Sequence, residues 1–313
     1  AIAFGATGKI IVGTTNSLGL LNDSGSTVTW SPWNTWANIE IYSVAYVSSS
    51  SRYWVAMNNS TASNRIGGFD TGGSFAQNMN SLALTSSQYV YDLAVDSSGT
   101  LHMVGNFTAR YAKLTSAAAF STVASITTAL GSAGATNIAV RSDGVLAFGG
   151  PSTMGRVRVL TAAGAETTSF GALGTTSGIG TGLSSAITSD LAFSASDVAF
   201  DTSTRLLVGG AFGLKRIKTD GTLDSNFSTS FSGTPTVRAI SVHSAPVGDA
   251  GKIVAGLSAA PWIVRLTPEN VAPGTPPAPT AVATDRQATV TVAAAAGATP
   301  TSYTVTATPG SAS

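Results

Sequence analysis

The stretch RLLVGGAFGLKRIKTDGTLDSNF, residues 205–227, sets two short apolar runs either side of a glycine-rich turn and closes on Asp-Gly and a phenylalanine. A glycine pair in such a place either cradles a ligand or recurs as one tooth of a repeat, and self-similarity along the chain decides between the two. An apolar, small, apolar triplet occurs six times: Ile2-Ala3-Phe4, Val44-Ala45-Tyr46, Leu93-Ala94-Val95, Ile138-Ala139-Val140, Val198-Ala199-Phe200 and Ile240-Ser241-Val242. The central residues lie 42, 49, 45, 60 and 42 positions apart. Each triplet leads through a turn rich in Gly, Ser or Asp into a second apolar run: KIIVGT from Lys9, RYWVAM from Arg52, TLHMVG from Thr100, VLAFGG from Val145, RLLVGG from Arg205 and KIVAGL from Lys252. A third run follows, LGLLN from Leu18, RIGGF from Arg65, RYAKL from Arg110, RVRVL from Arg156, LKRIK from Leu214 and WIVRL from Trp262.

Short strands joined by tight turns in units of this length fit the blades of a β-propeller. The sequence therefore predicts an all-β chain, a six-bladed β-propeller followed by a partial immunoglobulin-like β-sandwich. Strands nearest the axis crowd together, which explains Ala or Ser at the centre of each triplet. Gly149-Gly150 and Gly209-Gly210 end second strands, where the backbone passes close to a neighbour, so the glycine pair is read as structural.

The run Arg205 to Phe212, followed by Lys215 to Phe227, resembles the delta-60 repeat of bacterial surface proteins, in which a GK-I-VGG-F stretch precedes R-L-DG-LD-F. The fifth unit matches closely, the third, fourth and sixth in part, and the first two are degenerate. The resemblance implies a propeller within a large exported protein and implies no activity. Residues 270–280 then form a Pro-rich linker, with Pro273, Pro276, Pro277 and Pro279, separating a propeller over 1–269 from a module over 281–313. The phrase PPAPTAVATDRQATVTV with TSYTVTATPG resembles the opening of a bacterial fibronectin type III module, departing from it at Val292 and Ala293 where a Trp is usual. Such a sandwich runs to roughly 100 residues, so the module is expected to be a part. The start, Ala1-Ile2-Ala3-Phe4, lacks an initiator Met, and a trimmed N-terminus is the expectation.

Charged residues make up 10% of the 313, against roughly a quarter in an average domain, and the net charge is +1. That balance gathers no polyanion, which argues against nucleic acid and anionic membranes as partners, and no window approaches the roughly 18 consecutive apolar residues of a membrane helix, so no membrane insertion is expected. Cysteine is absent, excluding disulfides and thiolate chemistry. Phe4 to Gly13 imitates a dinucleotide-binding glycine turn, but a strand follows where a helix is required. The two histidines, His102 and His243, lack a second ligand at metal spacing. Asp220, Asp224 and Asn226 could offer oxygens to Ca²⁺, but their spacing matches no known calcium loop and Asp-Gly turns explain the same residues. Glu40, Glu166 and Glu269 are the only glutamates, few for paired-carboxylate hydrolysis.

The aromatic run Thr29 to Trp36 with its neighbours gives the candidate ligand-binding residues: Trp30, Trp33, Asn34, Trp36, Tyr53 and Trp54. Aromatic planes beside amides and hydroxyls suit glycans or protein partners, while packing between the first two units explains the same tryptophans. The expectation is a non-enzymatic, extracellular or cell-surface adhesion protein with no cofactor and no catalytic residue, its propeller a platform for protein subunits or glycans. A phage or virion component, and a filament polymerising through the C-terminal strands, are the alternatives within that class. A propeller hydrolase or lyase is the enzymatic alternative, and would bring carboxylates together at one mouth.

Overall fold

In the computed structural model the described residues are 1–4, 10–23, 28–58, 65–78, 84–114, 120–132, 134–150, 157–165, 167, 188–193, 205–224, 227, 231, 235–242, 253–266, 280–284 and 287–291. They form an all-β chain of antiparallel sheets. Among them no helix is long and apolar enough to cross a membrane.

The first sheet holds six strands in chain order: β1 (Ile2–Phe4), β2 (Ile10–Asp23), β3 (Val28–Val47), β4 (Arg52–Asn58), β5 (Ile66–Phe69) and β6 (Phe75–Asn78). It corrects the expected division of the first two units. The runs beginning at Lys9 and Leu18 are one 14-residue strand, β2, with a bend where two strands were expected. The cause lies at Asn16 and Asn38, whose φ angles are 69° and 60°. Asn enters the left-handed region at low cost because its short amide bonds locally. Here the Asn16 side-chain oxygen accepts the Ile39 amide at 3.0 Å, and the register jumps from Thr15 opposite Glu40 to Ser17 opposite Thr35. Strand β3 spans 20 residues. Its first part pairs with β2 and its last part, from Glu40, pairs with β4, so two units share one strand.

Four sheets follow. The third unit is β7 (Val90–Val95), β8 (Leu101–Gly105), β9 (Tyr111–Leu114) and β10 (Phe120–Ser121); the fourth is β11 (Asn137–Val140), β12 (Leu146–Gly149) and β13 (Val157–Leu160). The fifth is β14 (Thr188–Phe193), β15 (Leu206–Gly210) and β16 (Gly213–Ile217); the sixth is β17 (Val237–Val242), β18 (Ile253–Leu257) and β19 (Ile263–Leu266). A hairpin of β20 (Thr280–Thr284) and β21 (Gln287–Thr291) comes last. The fifth first strand is a second correction. Leu191-Ala192-Phe193 pairs with β15, whereas Val198-Ala199-Phe200 lies outside the described residues. Both triplets carry the same pattern, and only the pairing distinguishes them. One helix, α1 (Ala124–Leu130), was not expected; it buries Ile126 and Leu130, four residues apart on one face.

The core sits between sheets. Strand β4 shows why: Tyr53, Val55 and Met57 pack toward β2 and β3, while Trp54 and Ala56 pack toward β7 and β8. In β12, Leu146 and Phe148 face the third unit and Ala147 the fifth; in β15, Leu206 and Val208 face the fourth unit and Leu207 the sixth. Successive side chains of a strand point to opposite faces, so a strand covered on both sides reads as a continuous apolar run. First strands of successive sheets lie side by side, β3 by β7, β7 by β11, β11 by β14 and β14 by β17. The small residues Ala45 and Ala139 are buried there. Between β17 and β1 no comparable contact occurs among the described residues, which leave the row open.

The glycines of the opening stretch now have a role. Second-strand glycines Gly105, Gly149, Gly209 and Gly256 stand opposite the starts of first strands. A Cβ on Gly209 would lie 2.7 Å from Val237 of the neighbouring sheet, so the residue is small because another sheet approaches it. The constraint is tighter at Gly105, where a Cβ would stand 2.0 Å from the Tyr89 carbonyl oxygen. Backbone must move to admit it. Gly105→Ala is expected to cost about 3 kcal/mol, the upper range for overpacking, read from the midpoint of urea unfolding.

Candidate functional site

Four of the side-by-side first strands carry a register shift, near the start of β7, β14 and β17 and, in β3, where its pairing with β4 begins. In β3 it falls between Ile41 and Ser43, in β7 between Val90 and Asp92, in β14 between Thr188 and Asp190, and in β17 between Val237 and Ala239. Such bulges bend the strand and re-aim a side chain. The residues left unpaired are Tyr42, Tyr91, Ser189 and Arg238, at one register position on strands that share one end.

Beside them runs a polar belt. Asp92 Oδ1 accepts the Ser43 hydroxyl at 2.7 Å and the Leu93 amide at 2.8 Å, while Oδ2 accepts the Ile138 amide at 2.8 Å. One carboxylate thus ties β3, β7 and β11 together. Burial pushes its pKa up to about 6, and the three hydrogen bonds offset that only in part.

Tyr42, Tyr89 and Tyr91 form a half-buried cluster at the same end. The Tyr42 ring meets Tyr91 edge-on at 5.8 Å and Tyr89 at 6.2 Å. Arg65, buried at 1% exposure, sets the floor. Its guanidinium lies 3.9 Å over the Tyr89 ring and donates to the carbonyls of Thr85, Ser86 and Gln88. Asn106 completes the hold, accepting the Tyr89 amide at 2.6 Å and donating to the Ser87 carbonyl. The cluster is therefore fixed before any ligand arrives. The hydroxyls of Tyr42 and Tyr91 make no hydrogen bond among the described residues. Burial raises the pKa of both, with Glu40 next in effect on Tyr42 and Tyr89 on Tyr91, so both are neutral phenols able to donate and accept.

The residues singled out from sequence are placed elsewhere. Tyr53 and Trp54 are core residues at 0% and 2% exposure. Trp33 packs on Tyr53 with centroids 5.5 Å apart and covers Gly73, while Trp36 meets Phe69 at 6.2 Å. Asn34 donates to the Gly73 carbonyl at 3.2 Å. Trp30 lies in β3 opposite Leu21. The structure thus uses Trp33 and Trp36 to seal the first unit against the second. Tyr42 was noted only as a neighbour of the aromatic run and Tyr91 was not noted, yet a signal existed: Tyr42, Tyr91 and Arg238 each stand three residues before the small residue of a triplet, at Ala45, Ala94 and Ser241.

Two further networks join parts of single units. His102 bridges Tyr111 Oη at 2.8 Å and Asp96 Oδ2 at 3.1 Å. Burial lowers the His102 pKa, against the pull of Asp96, so the ring is neutral at pH 7. Burial opposes the charge of Asp96, but bonds from Ser98, His102 and Thr100 prevail and hold its pKa at about 2. Asp224 meets Arg216 at 2.8 Å and Arg205 at 3.7 Å, and Arg216 covers the Phe227 ring at 4.5 Å. This assigns the Arg, Asp and Phe of the opening stretch to one buried clasp. Asp220 caps its own turn through Thr222. Asn226, His243, Glu166 and Glu269 lie outside the described residues.

Two outcomes follow. The raised Asp92 pKa means that the folded state holds its proton more tightly than the unfolded chain. The associated stability is full below pH about 4 and is lost as pH rises through about 6, a fall of roughly 3 kcal/mol. Asp92→Asn flattens that slope in urea unfolding between pH 4 and 8, whereas the Asp96 contribution changes only below pH about 4. Asp224→Ala removes the carboxylate that Arg216 and Arg205 share inside the fold and is expected to cost about 3 kcal/mol or more in the same assay.

Comparison with known proteins supplies the fold. No family model matches the sequence, and no curated protein matches it. Among solved structures, a catalytically inactive virginiamycin B lyase from Staphylococcus aureus with quinupristin is similar at a TM-score of 0.57 and 14% identity, covering 84% of this chain and 78% of that one. The WD40 repeats of RRP9 are similar at a TM-score of 0.53 and 11% identity, covering 82% and 72%. The extracellular domain of a putative hybrid two-component system from B. thetaiotaomicron is similar at 0.51 and 11%, covering 85% of this chain and 31% of that one. The fold is β-propeller-like. With a lyase among these neighbours, the step from repeat propeller to non-enzymatic adhesion platform does not hold, and that expectation is corrected: this architecture carries catalysis as readily as scaffolding.

Proposed function

We propose that the chain is a six-bladed propeller of the delta-60 type in an exported protein, followed by fibronectin-type strands, and that it recognises a small organic ligand with a planar or cyclic body. The ligand stacks on Tyr42 and Tyr91 and bonds their hydroxyls. The observation that carries the reading is the fixed, half-exposed tyrosine cluster on bulged strand ends, with Arg65 and Asn106 immobilising its base. Rigid aromatic side chains with free polar tips give contact area at low entropic cost. Quinupristin, the compound bound by one neighbour, is the first probe, followed by a panel of aromatic acids, amides and macrocycles. Calorimetric titration is expected to find binders whose affinity falls about tenfold or more in Tyr42→Ala and Tyr91→Ala, as for aromatic hot spots. A panel without binders, or binders indifferent to both substitutions, overturns the proposal.

A further inference from the structure

Tyr42 and Tyr91, whose rings meet in the cluster, are each followed by one member of a hydrogen-bonded pair. Ser43 follows Tyr42 and Asp92 follows Tyr91, and both are the first residues to pair again after the register shift, opposite Ala56 and Val104. The Ser43 hydroxyl donates to Asp92 Oδ1 at 2.7 Å and accepts the Leu93 amide at 3.2 Å. Asp92 Oδ2 accepts the Ile138 amide at 2.8 Å, which anchors the carboxylate to β11, a strand that pairs with β12 without a shift. The one side-chain bond that spans the two bulges thus lies a single residue from each tyrosine.

Resting on the ligand site proposed above, we infer that Asp92 is its positioning residue: the ionised carboxylate clasps Ser43 and so fixes Tyr42 against Tyr91, and a proton on that carboxylate releases Tyr42. An ionised carboxylate only accepts, and here each of its three partners donates. Once protonated, Asp92 brings a donor of its own, and Ser43 must accept in place of donating. The Ser43 proton, on a residue 7% exposed, then has no acceptor among the described residues, and a buried donor left unmet is costly. Turning Ser43 toward water relieves it and moves the bulge that carries Tyr42. Burial raises the Asp92 pKa to about 6 against the pull of its three hydrogen bonds, so the change falls within an ordinary range of pH. Titratable groups on the strands packed against β7 are few. Glu40 and Tyr42 stand on β3 at the same end; Tyr46 on β3, Arg52 and Tyr53 on β4 and His102 on β8 stand toward the other end, and β11 has none. Asp92 answers to burial and to its hydrogen bonds rather than to any of these groups.

The test reads the tyrosine rings of the full, ligand-free chain by NMR after isotope labelling, with resonances assigned through Tyr42→Phe and Tyr91→Phe. The Tyr42 and Tyr91 resonances are expected to move together with one midpoint at pH about 6, while that of Tyr53, in the core, stays fixed. Neither phenol titrates there itself, since burial raises both of their pKa values. Asp92→Asn abolishes the step, and Glu40→Gln leaves it in place. Ser43→Ala keeps the carboxylate but cuts its link to β3, so the Tyr91 step remains and the Tyr42 step disappears. Should Asp92→Asn fail to fold, the native and Ser43→Ala profiles decide alone. Native resonances that do not titrate, a step that survives Asp92→Asn, or a Tyr42 step that survives Ser43→Ala each overturn the clasp and leave the tyrosine site standing. Because the rings are read without ligand, a panel that yields no binder removes the ligand site alone. A binder held by both tyrosines is expected to bind about fivefold weaker at pH about 5 than at pH about 7.5, the low end of coupling between two sites. Affinity that does not change between them overturns the positioning role.

Discussion

Everything in this chain depends on sheets that pack face to face on both sides. A middle strand such as β4 or β15 has no solvent face, and its odd and even residues belong to different cores. Stability then comes from the interfaces more than from any single sheet, because a three-stranded sheet alone has one marginal face. Burial of large apolar side chains contributes on the order of 2 kcal/mol each, and each interface gathers a cluster of them. The same geometry forces the backbones close at the inner strands, which dictates Ala at position 45, Ala at 139 and the glycines that face the bulges.

The bulges turn packing into chemistry. A regular antiparallel strand between two covered faces aims every side chain into a core, and no ligand could reach it. One extra residue breaks that rule at Tyr42, Tyr91 and Arg238, leaving the tyrosines half-buried and the arginine exposed. In β7, β14 and β17 a glycine stands beside the kink on the partner strand, whereas in β3 the partners are Met57 and Ala56. Polar residues beside the bulge are then enclosed, and Asp92 carries the cost of that enclosure in its displaced pKa.

Much of the fold was legible in the sequence because two-face burial writes continuous apolar runs with a fixed punctuation. The second strands at Arg52, Thr100, Val145 and Arg205 were found on that basis, and all are present. Failures came where local chemistry outweighed pattern. At Asn16 a polar residue bends a strand that composition suggested would stop, and beside β15 the pairing strand carries Leu191-Ala192-Phe193, a triplet the repeat reading passed over. The site was less legible. Trp33, Trp36, Tyr53 and Trp54 attracted notice by residue type, yet large aromatic residues are also what seals sheet against sheet. Tyr42, Tyr91 and Arg238 share a position relative to the repeat, and position, unlike composition, reports a bulge.

Strand β3 has a consequence of its own. Because a single run of 20 residues is the last partner of one unit and the first of the next, neither unit owns a complete boundary. Load applied to one is carried along the covalent backbone into the other, with no interface between them that can slip. The first two units therefore act as one cooperative block in opening and closing.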